Sequence, residues 1–437
     1  MGFAVAGLAA RSTAVYSEHR GTRRATHRLP AARPEEKAIA PTPAKTPRKQ
    51  PREPHVEALR LVAAAGIAVF HTFMPWFDGL TGGFGYGAQV APNHATTAIL
   101  GFINLLGAYG NNVFFFISGL FLIPAAARAA SEARTSGGAY WGSQMRKTAR
   151  RAASLLATVA LWCGLAWAAN RWVCPIEGLE PGETAWFTGG LEFIWVYLAF
   201  TLLAPAIGWV WCRAKRPAAM VACLCAAVFA VNAYIAFFSQ GDDVRGLLDW
   251  RKLMSAATYL CAFTCGGAMA GVRLERRRAT GALAGCVAVA AAVEAVCSHT
   301  GALTLMAATS FKSTSVLSFA MAAASVLYAR SVAGAGSKDA KKTELTAVEP
   351  PTPERSSRTA AFVTRCAKSI LGFYILQSIL AGLWQPVFIE LTVEAFLAYN
   401  SWVVLALGCA LSLGLLAALI AVDQLVRIPL FERLGLA

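Results

Sequence analysis

Apolar and polar positions alternate along the chain in blocks rather than in short periods. Ten apolar runs, at about 57–77, 98–124, 152–170, 191–211, 218–238, 253–272, 280–297, 314–330, 369–391 and 401–422, are separated by short charged breaks. Each run is close to the ~20 residues that a helix needs to cross a bilayer. The pattern therefore predicts an all-α fold, a polytopic transmembrane helix bundle of about ten spanning helices, filling residues 55–425. Residues 1–54 are rich in Arg, Pro and Ala and have no apolar period long enough to pack, which predicts a disordered basic tail. Residues 333–368 are rich in Lys, Ser and Pro and read as a flexible linker, and 426–437 as a short C-terminal tail.

Composition sharpens this picture. Of 437 residues, 56% are apolar and only 15% charged. Soluble domains carry about 25% charged residues, so this chain lacks the charge to coat a water-soluble body. A soluble enzyme, a secreted disulfide scaffold and a wholly disordered protein are excluded. The net charge of +16 raises nucleic acid as a partner, but no basic stripe is interleaved with stacking aromatics. Of 40 Lys and Arg, 35 fall within residues 1–60 and in or at the edge of alternate breaks after the first run. Positive charge is retained on the cytoplasmic side, so the expectation is a multi-pass protein of the cell membrane with both termini cytoplasmic, partnered by the lipid bilayer and not by nucleic acid. Glu177, Glu180 and Glu183 beside Trp172, Trp186 and Phe187 in the external loop 171–189, and Asp242, Asp243 and Asp249 beside Trp250 in 239–252, suit sugar binding; interfacial aromatics and solvated charges account for them equally. Eleven cysteines form no CxxC pair, and no metal-ligand spacing occurs.

Of six histidines, only His71 lies inside an apolar run. Ionisable groups at membrane depth are costly and mark functional sites. Arg60 precedes His71 by eleven residues, about 20° past three full helical turns, so both share one face about 16 Å apart along the axis. An imidazole serves as a general base near neutral pH, and a guanidinium at a helix mouth suits a phosphate-bearing molecule. The same pair also reads as a snorkelling Arg and a hydrogen-bonded structural His. Ser118-Gly119, after Asn111-Asn112 and a Phe-rich stretch, is a pair of small residues that lets helices approach closely. Arg146, Lys147, Arg150 and Arg151 at the start of the third run are either topological signals or a grip for phosphates.

These segments together resemble the acyltransferase-3 family of membrane enzymes. Glu57-Ala58-Leu59-Arg60 with His71 is similar to its first-helix signature, and FFFISGLFLI at 114–123 to its FF-x-x-SG segment. The basic run 146–151 resembles its Arg-x-x-Arg element, GLEFIWVYLAFTLLAP at 190–205 its aromatic helix, YLCAFTCGGAM at 259–269 its Tyr-Leu-x-x-Phe-x-x-Gly helix, and SILGFYILQSIL at 369–380 its Gly-x-Tyr-x-x-His helix. The branch that acetylates surface polysaccharides is nearest. The resemblance implies transfer of an acyl group, acetyl above all, from cytoplasmic acyl-CoA as co-substrate to a hydroxyl of a glycan or lipid-linked sugar, with no permanently bound cofactor or metal. It implies His71 as the catalytic residue, Arg60 as its partner, Arg146, Lys147, Arg150 and Arg151 as donor-binding cations, and Glu57, Asn112, Ser118, Glu192, Tyr374 and Gln377 as substrate-positioning residues. Gln377 stands where the family keeps His, Glu192 where it keeps Trp, and the basic motif reads Lys147-x-x-Arg150. Two further readings stay open: a secondary transporter or glycan flippase working through His71, Glu192 and Glu294, and a catalytically inactive member of the family.

Overall fold

The structure, a computed structural model, describes residues 53–83, 93–133, 137–180, 182, 184–238, 247–311, 313–343 and 353–435. The tail expected over 1–54 lies outside them apart from its last two residues. Among the described residues every regular element is helical: α1 (Pro54–Gly82), α2 (His94–Glu132), α3 (Gly137–Trp172), the single turn α4 (Ala185–Thr188), α5 (Glu192–Trp211), α6 (Pro217–Ala233), α7 (Leu247–Met269), α8 (Arg276–Thr300), α9 (Leu303–Ser310), α10 (Val316–Thr343), α11 (Pro353–Lys368), α12 (Ile370–Ile379), α13 (Ala381–Ala398) and α14 (Ser401–Arg433). A π turn, Tyr234–Phe238, extends α6. Seven helices (α1, α2, α3, α5, α6 with its π turn, α8 and α14) are long and apolar enough to cross a membrane. The segments Arg358–Lys368 and Ile370–Ile379, bent by 41°, make an eighth if taken together. In α7 and α10 the apolar stretches, Leu253–Met269 and Val316–Val332, are shorter. Large apolar side chains such as Leu165, Trp167, Leu203, Val296, Leu413 and Leu425 are exposed along these helices, as a lipid-facing surface requires.

One sequence expectation is corrected. The run 369–391 is not one helix but α12 and α13, broken at Leu380, where the Gln377 carbonyl accepts from Trp384 Nε1 at 2.9 Å. Within the segment read as a flexible linker, α10 runs to Thr343 and α11 begins at Pro353, and residues 344–352 lie outside the described residues. α14 continues to Arg433, with Arg427 and Phe431 buried.

The long helix α2 is the centre of the bundle and packs against α1, α5, α7, α8 and α10. Small residues make these approaches possible. A Cβ added at Gly119 of α2 would overlap the Phe263 backbone of α7, and one at Gly266 of α7 would overlap the Phe116 backbone of α2. The two glycines thus seat the helices reciprocally, the small-residue packing that membrane helices use. Gly119→Ala is expected to lower the thermal midpoint, with a loss of about 1–3 kcal/mol typical of overpacking. An unshifted midpoint in thermal unfolding of the detergent-solubilised variant would show that the seam yields freely.

Candidate active site

A cavity of about 560 Å³ lies against the middle of α1. Its wall on that helix is a single stripe of Ile67, Phe70, His71, Met74, Phe77, Asp78 and Thr81, recurring at the three- and four-residue spacing of one helical face. Arg60 belongs to the same stripe, seven residues before Ile67. From α2 come Asn104, Gly107, Ala108 and Asn111; from the start of α5, Glu192 and Phe193; from α7, Tyr259. The broken helix contributes Tyr374, Gln377 and Ser378 from α12 and Ala381, Trp384 and Gln385 from α13. Breaking the run at Leu380 lets residues on both sides of the break face one space.

The structure therefore brings together four of the sequence-derived site residues: His71, Glu192, Tyr374 and Gln377. His71 is half-buried, with the Phe70 ring edge-on at 5.0 Å, and its backbone carbonyl accepts from Gln385 Nε2 at 3.3 Å. Gln377 is 2% exposed, and its Nε2 has no hydrogen-bond partner among the described residues. An amide donor left unmatched on a cavity wall is an offer to a ligand, since an unsatisfied buried N–H costs about 1–3 kcal/mol.

The other candidates lie elsewhere. Arg60 Nη1 is 3.1 Å from both carboxylate oxygens of Glu57, one turn away. Because the helix rises 1.5 Å per residue, Arg60 sits about 16 Å from His71 along the axis, below the cavity rather than in it. Ser118 donates to the Phe114 carbonyl at 2.7 Å within its own helix, beside the Gly119 seam. Asn112 is fully buried outside the cavity, with neither amide atom partnered among the described residues. Arg146, Lys147, Arg150 and Arg151 are exposed on α3, and none lines the cavity. In the loop after α3, Trp186 and Phe187 pack partly buried on the core, and the cavity meets only the backbone bend Gly189-Gly190. Residues 239–246 lie outside the described residues, as do the side chains up to Lys252.

Several cavity residues were not picked out from the sequence as site residues: Asp78, Asn104, Asn111, Tyr259, Trp384 and Gln385. Asn111 matters most among them. Its Nδ2 donates to the Tyr259 hydroxyl at 2.9 Å, and its Oδ1 accepts from the Tyr374 hydroxyl at 3.4 Å. The signal that could have found it was helix phase. Asn104, Gly107, Ala108 and Asn111 share one face of α2, whereas Asn112 is 100° further round.

Chemically, among the described residues the enclosure offers an imidazole, two carboxylates, four amides, two phenols and several aromatic faces, and no Lys or Arg. Among the described residues no group of three or more His, Cys, Asp or Glu is placed to hold a metal ion. No curated protein and no solved structure matches the chain. An acyltransferase domain does match it, over residues 54–421. That span contains the whole cavity and every spanning helix up to the last turns of α14, and the chain belongs to the acyltransferase-3 family of membrane acyltransferases.

Proposed function

We propose that the protein takes an acyl group, acetyl being the leading choice, from acyl-CoA and esterifies a hydroxyl of a surface glycan or glycolipid. The observation that carries this reading is the placement of His71, with carboxylate, amide and phenol side chains, on the wall of one cavity inside an apolar bundle. His71 removes the proton from the acceptor hydroxyl as its oxygen attacks the thioester carbon. The C–S bond then breaks, and the imidazolium returns the proton to the leaving thiolate. The balance is one O–H and one C–S bond exchanged for one C–O and one S–H.

Acceptor recognition falls to the rest of the wall. Gln377, Asn104 and the carboxylates of Asp78 and Glu192 match the hydroxyls of a sugar, and Phe70, Phe77, Phe193 and Trp384 offer apolar faces to its ring. The Gln377 amide keeps both donor and acceptor capacity where the family has His, so acceptor binding survives that replacement. Among the described residues the lining has no Lys or Arg, which favours keeping the donor's phosphates outside and admitting its thioester arm alone. In this reading the end of the bundle carrying Arg60 and Arg146 to Arg151 faces the cytoplasm, where those cations meet the donor phosphates, and α1 carries the cavity toward the outer face at Asp78 and Thr81.

The test is transfer by the full-length protein in proteoliposomes, using labelled acetyl-CoA and a lipid-linked oligosaccharide acceptor. The expected result is label in an alkali-labile ester of the sugar. Sugar crossing the bilayer without any ester, in the absence of acetyl-CoA, would replace this reading with transport.

A further inference from the structure

Base catalysis by His71 handles the proton of the attacking hydroxyl but leaves the carbonyl oxygen unattended. As the thioester carbon becomes tetrahedral, that oxygen takes up negative charge in a cavity whose wall carries no Lys or Arg among the described residues. A hydrogen-bond donor aimed at the developing oxyanion is usually the largest single contribution to acyl transfer.

We infer that the Tyr259 hydroxyl is this donor and that Asn111 is the residue that aims it, an assignment that rests on the acyl-transfer reading above. A phenol has one O–H to give, and an amide has one oxygen to receive it. Asn111 bridges two phenols, Tyr259 through Nδ2 at 2.9 Å and Tyr374 through Oδ1 at 3.4 Å. The oxygen side of the amide takes the Tyr374 proton. The nitrogen side gives a proton to the Tyr259 oxygen, which fills one of its lone pairs and turns its own O–H away from Asn111. No described residue accepts that Tyr259 proton, although the side chain is only 1% exposed and stands on the cavity wall. A bound carbonyl oxygen completes it.

The scaffold holds this donor still. The Tyr259 ring stacks on Phe115, with centroids 4.8 Å apart and planes at 21°, and the Tyr374 ring lies 4.6 Å from Phe193. Donation from Asn111 also polarises the Tyr259 O–H, since linked hydrogen bonds strengthen one another. The arrangement is a donor fixed before the charge arrives, which is what electrostatic preorganisation requires. The tetrahedral oxyanion forms whether the nucleophile is the acceptor hydroxyl or His71 itself, so the assignment holds for direct and for two-step transfer. No proton leaves Tyr259; it forms a hydrogen bond that strengthens in the transition state and relaxes when the C–S bond breaks.

The experiment compares Tyr259→Phe, Asn111→Ala, Tyr374→Phe and His71→Gln in the full-length protein, reading kcat and KM for acetyl-CoA, with thermal midpoints as the control for folding. Tyr259→Phe keeps the ring and its stacking, so the expected result is a fall in kcat of about 100- to 1,000-fold, with KM changed less than about threefold and the midpoint within experimental scatter. Asn111→Ala follows Tyr259→Phe in direction, and the double variant is no worse than Tyr259→Phe alone, because Asn111 acts through Tyr259. Tyr374→Phe falls less than tenfold, its proton being committed to Asn111. If kcat is unchanged in Tyr259→Phe, or if Tyr374→Phe loses more than Tyr259→Phe, the assignment is overturned, while loss of transfer in His71→Gln keeps the parent reading intact. If His71→Gln also turns over normally, the parent reading itself fails. A Tyr259→Phe effect confined to KM, or matched by an equal loss of folded protein, would make Tyr259 a binding or packing residue and likewise overturn the proposal.

Discussion

His71→Gln is expected to lower acyl transfer by 10²–10⁴-fold, the usual contribution of a general base, with yield and thermal midpoint unchanged. His71 is half-buried on the cavity stripe of α1, among Phe70, Met74 and Asp78 rather than in the tightest part of the core. Glutamine is close in size and still forms hydrogen bonds, so a structural histidine would tolerate the change. What glutamine lacks is a nitrogen that takes up a proton near neutral pH. The measurement is single-turnover transfer from labelled acetyl-CoA by purified variant in proteoliposomes. Turnover near the wild-type rate would remove the base assignment.

His71 was legible in the sequence for a simple reason. An ionisable side chain in an otherwise apolar run is conspicuous, and helical periodicity tells which residues share its face. The stripe from Ile67 to Thr81 is what the eleven-residue spacing back to Arg60 already implied. Distance along the stripe was also legible, and it limits Arg60, which the structure shows held by Glu57 at the helix start rather than in the cavity. Asn111 and Tyr259 were harder to see because their role arises between helices 148 residues apart in sequence. Nothing local distinguishes Asn111 from Asn112 except rotation about α2. Glu192 and Gln377, which looked like departures from a family pattern, turn out to face the cavity. The least legible features were the helix ends. Polar composition over 333–368 and after 425 reads as linker and tail when side chains are counted singly. The stretch after 425 reads as helix once Arg427 is seen to pair within its own helix and to hold the end of a second one.

That pairing gives the largest expected effect on stability. Asp423 is fully buried and Arg427 is 8% exposed, one turn apart on α14. Arg427 Nε donates to Asp423 Oδ1 at 2.7 Å and Nη2 to Oδ2 at 2.6 Å, a two-pronged pairing that suits the planar guanidinium. Trp162 Nε1 of α3 donates to Asp423 Oδ1 at 3.1 Å, and Arg427 Nη2 also donates to the Lys368 carbonyl at 2.9 Å, at the bend between α11 and α12. Gly372, just past that bend, lies so close to Asp423 that a Cβ there would overlap the carboxylate. The pair therefore clasps α3, α14 and the α11–α12 junction at Ser369, five residues before Tyr374 and eight before Gln377. Asp423→Ala strands the arginine charge in the bundle, and removing one partner of a buried pair typically costs about 3–5 kcal/mol. The double variant Asp423→Ala with Arg427→Met removes both charges and is expected to recover most of that stability, because apolar replacements of buried pairs are often neutral or better. Activity is expected to separate from stability in the double variant. It refills the core but frees the Lys368 carbonyl, so α12 loses its clasp and Tyr374 and Gln377 lose their fixed place on the cavity wall. Thermal unfolding and transfer rates on the same preparations check this. A wild-type midpoint in Asp423→Ala would show the pair to be energetically idle, and full activity in the double variant would show that α12 is held in place by its apolar contacts alone.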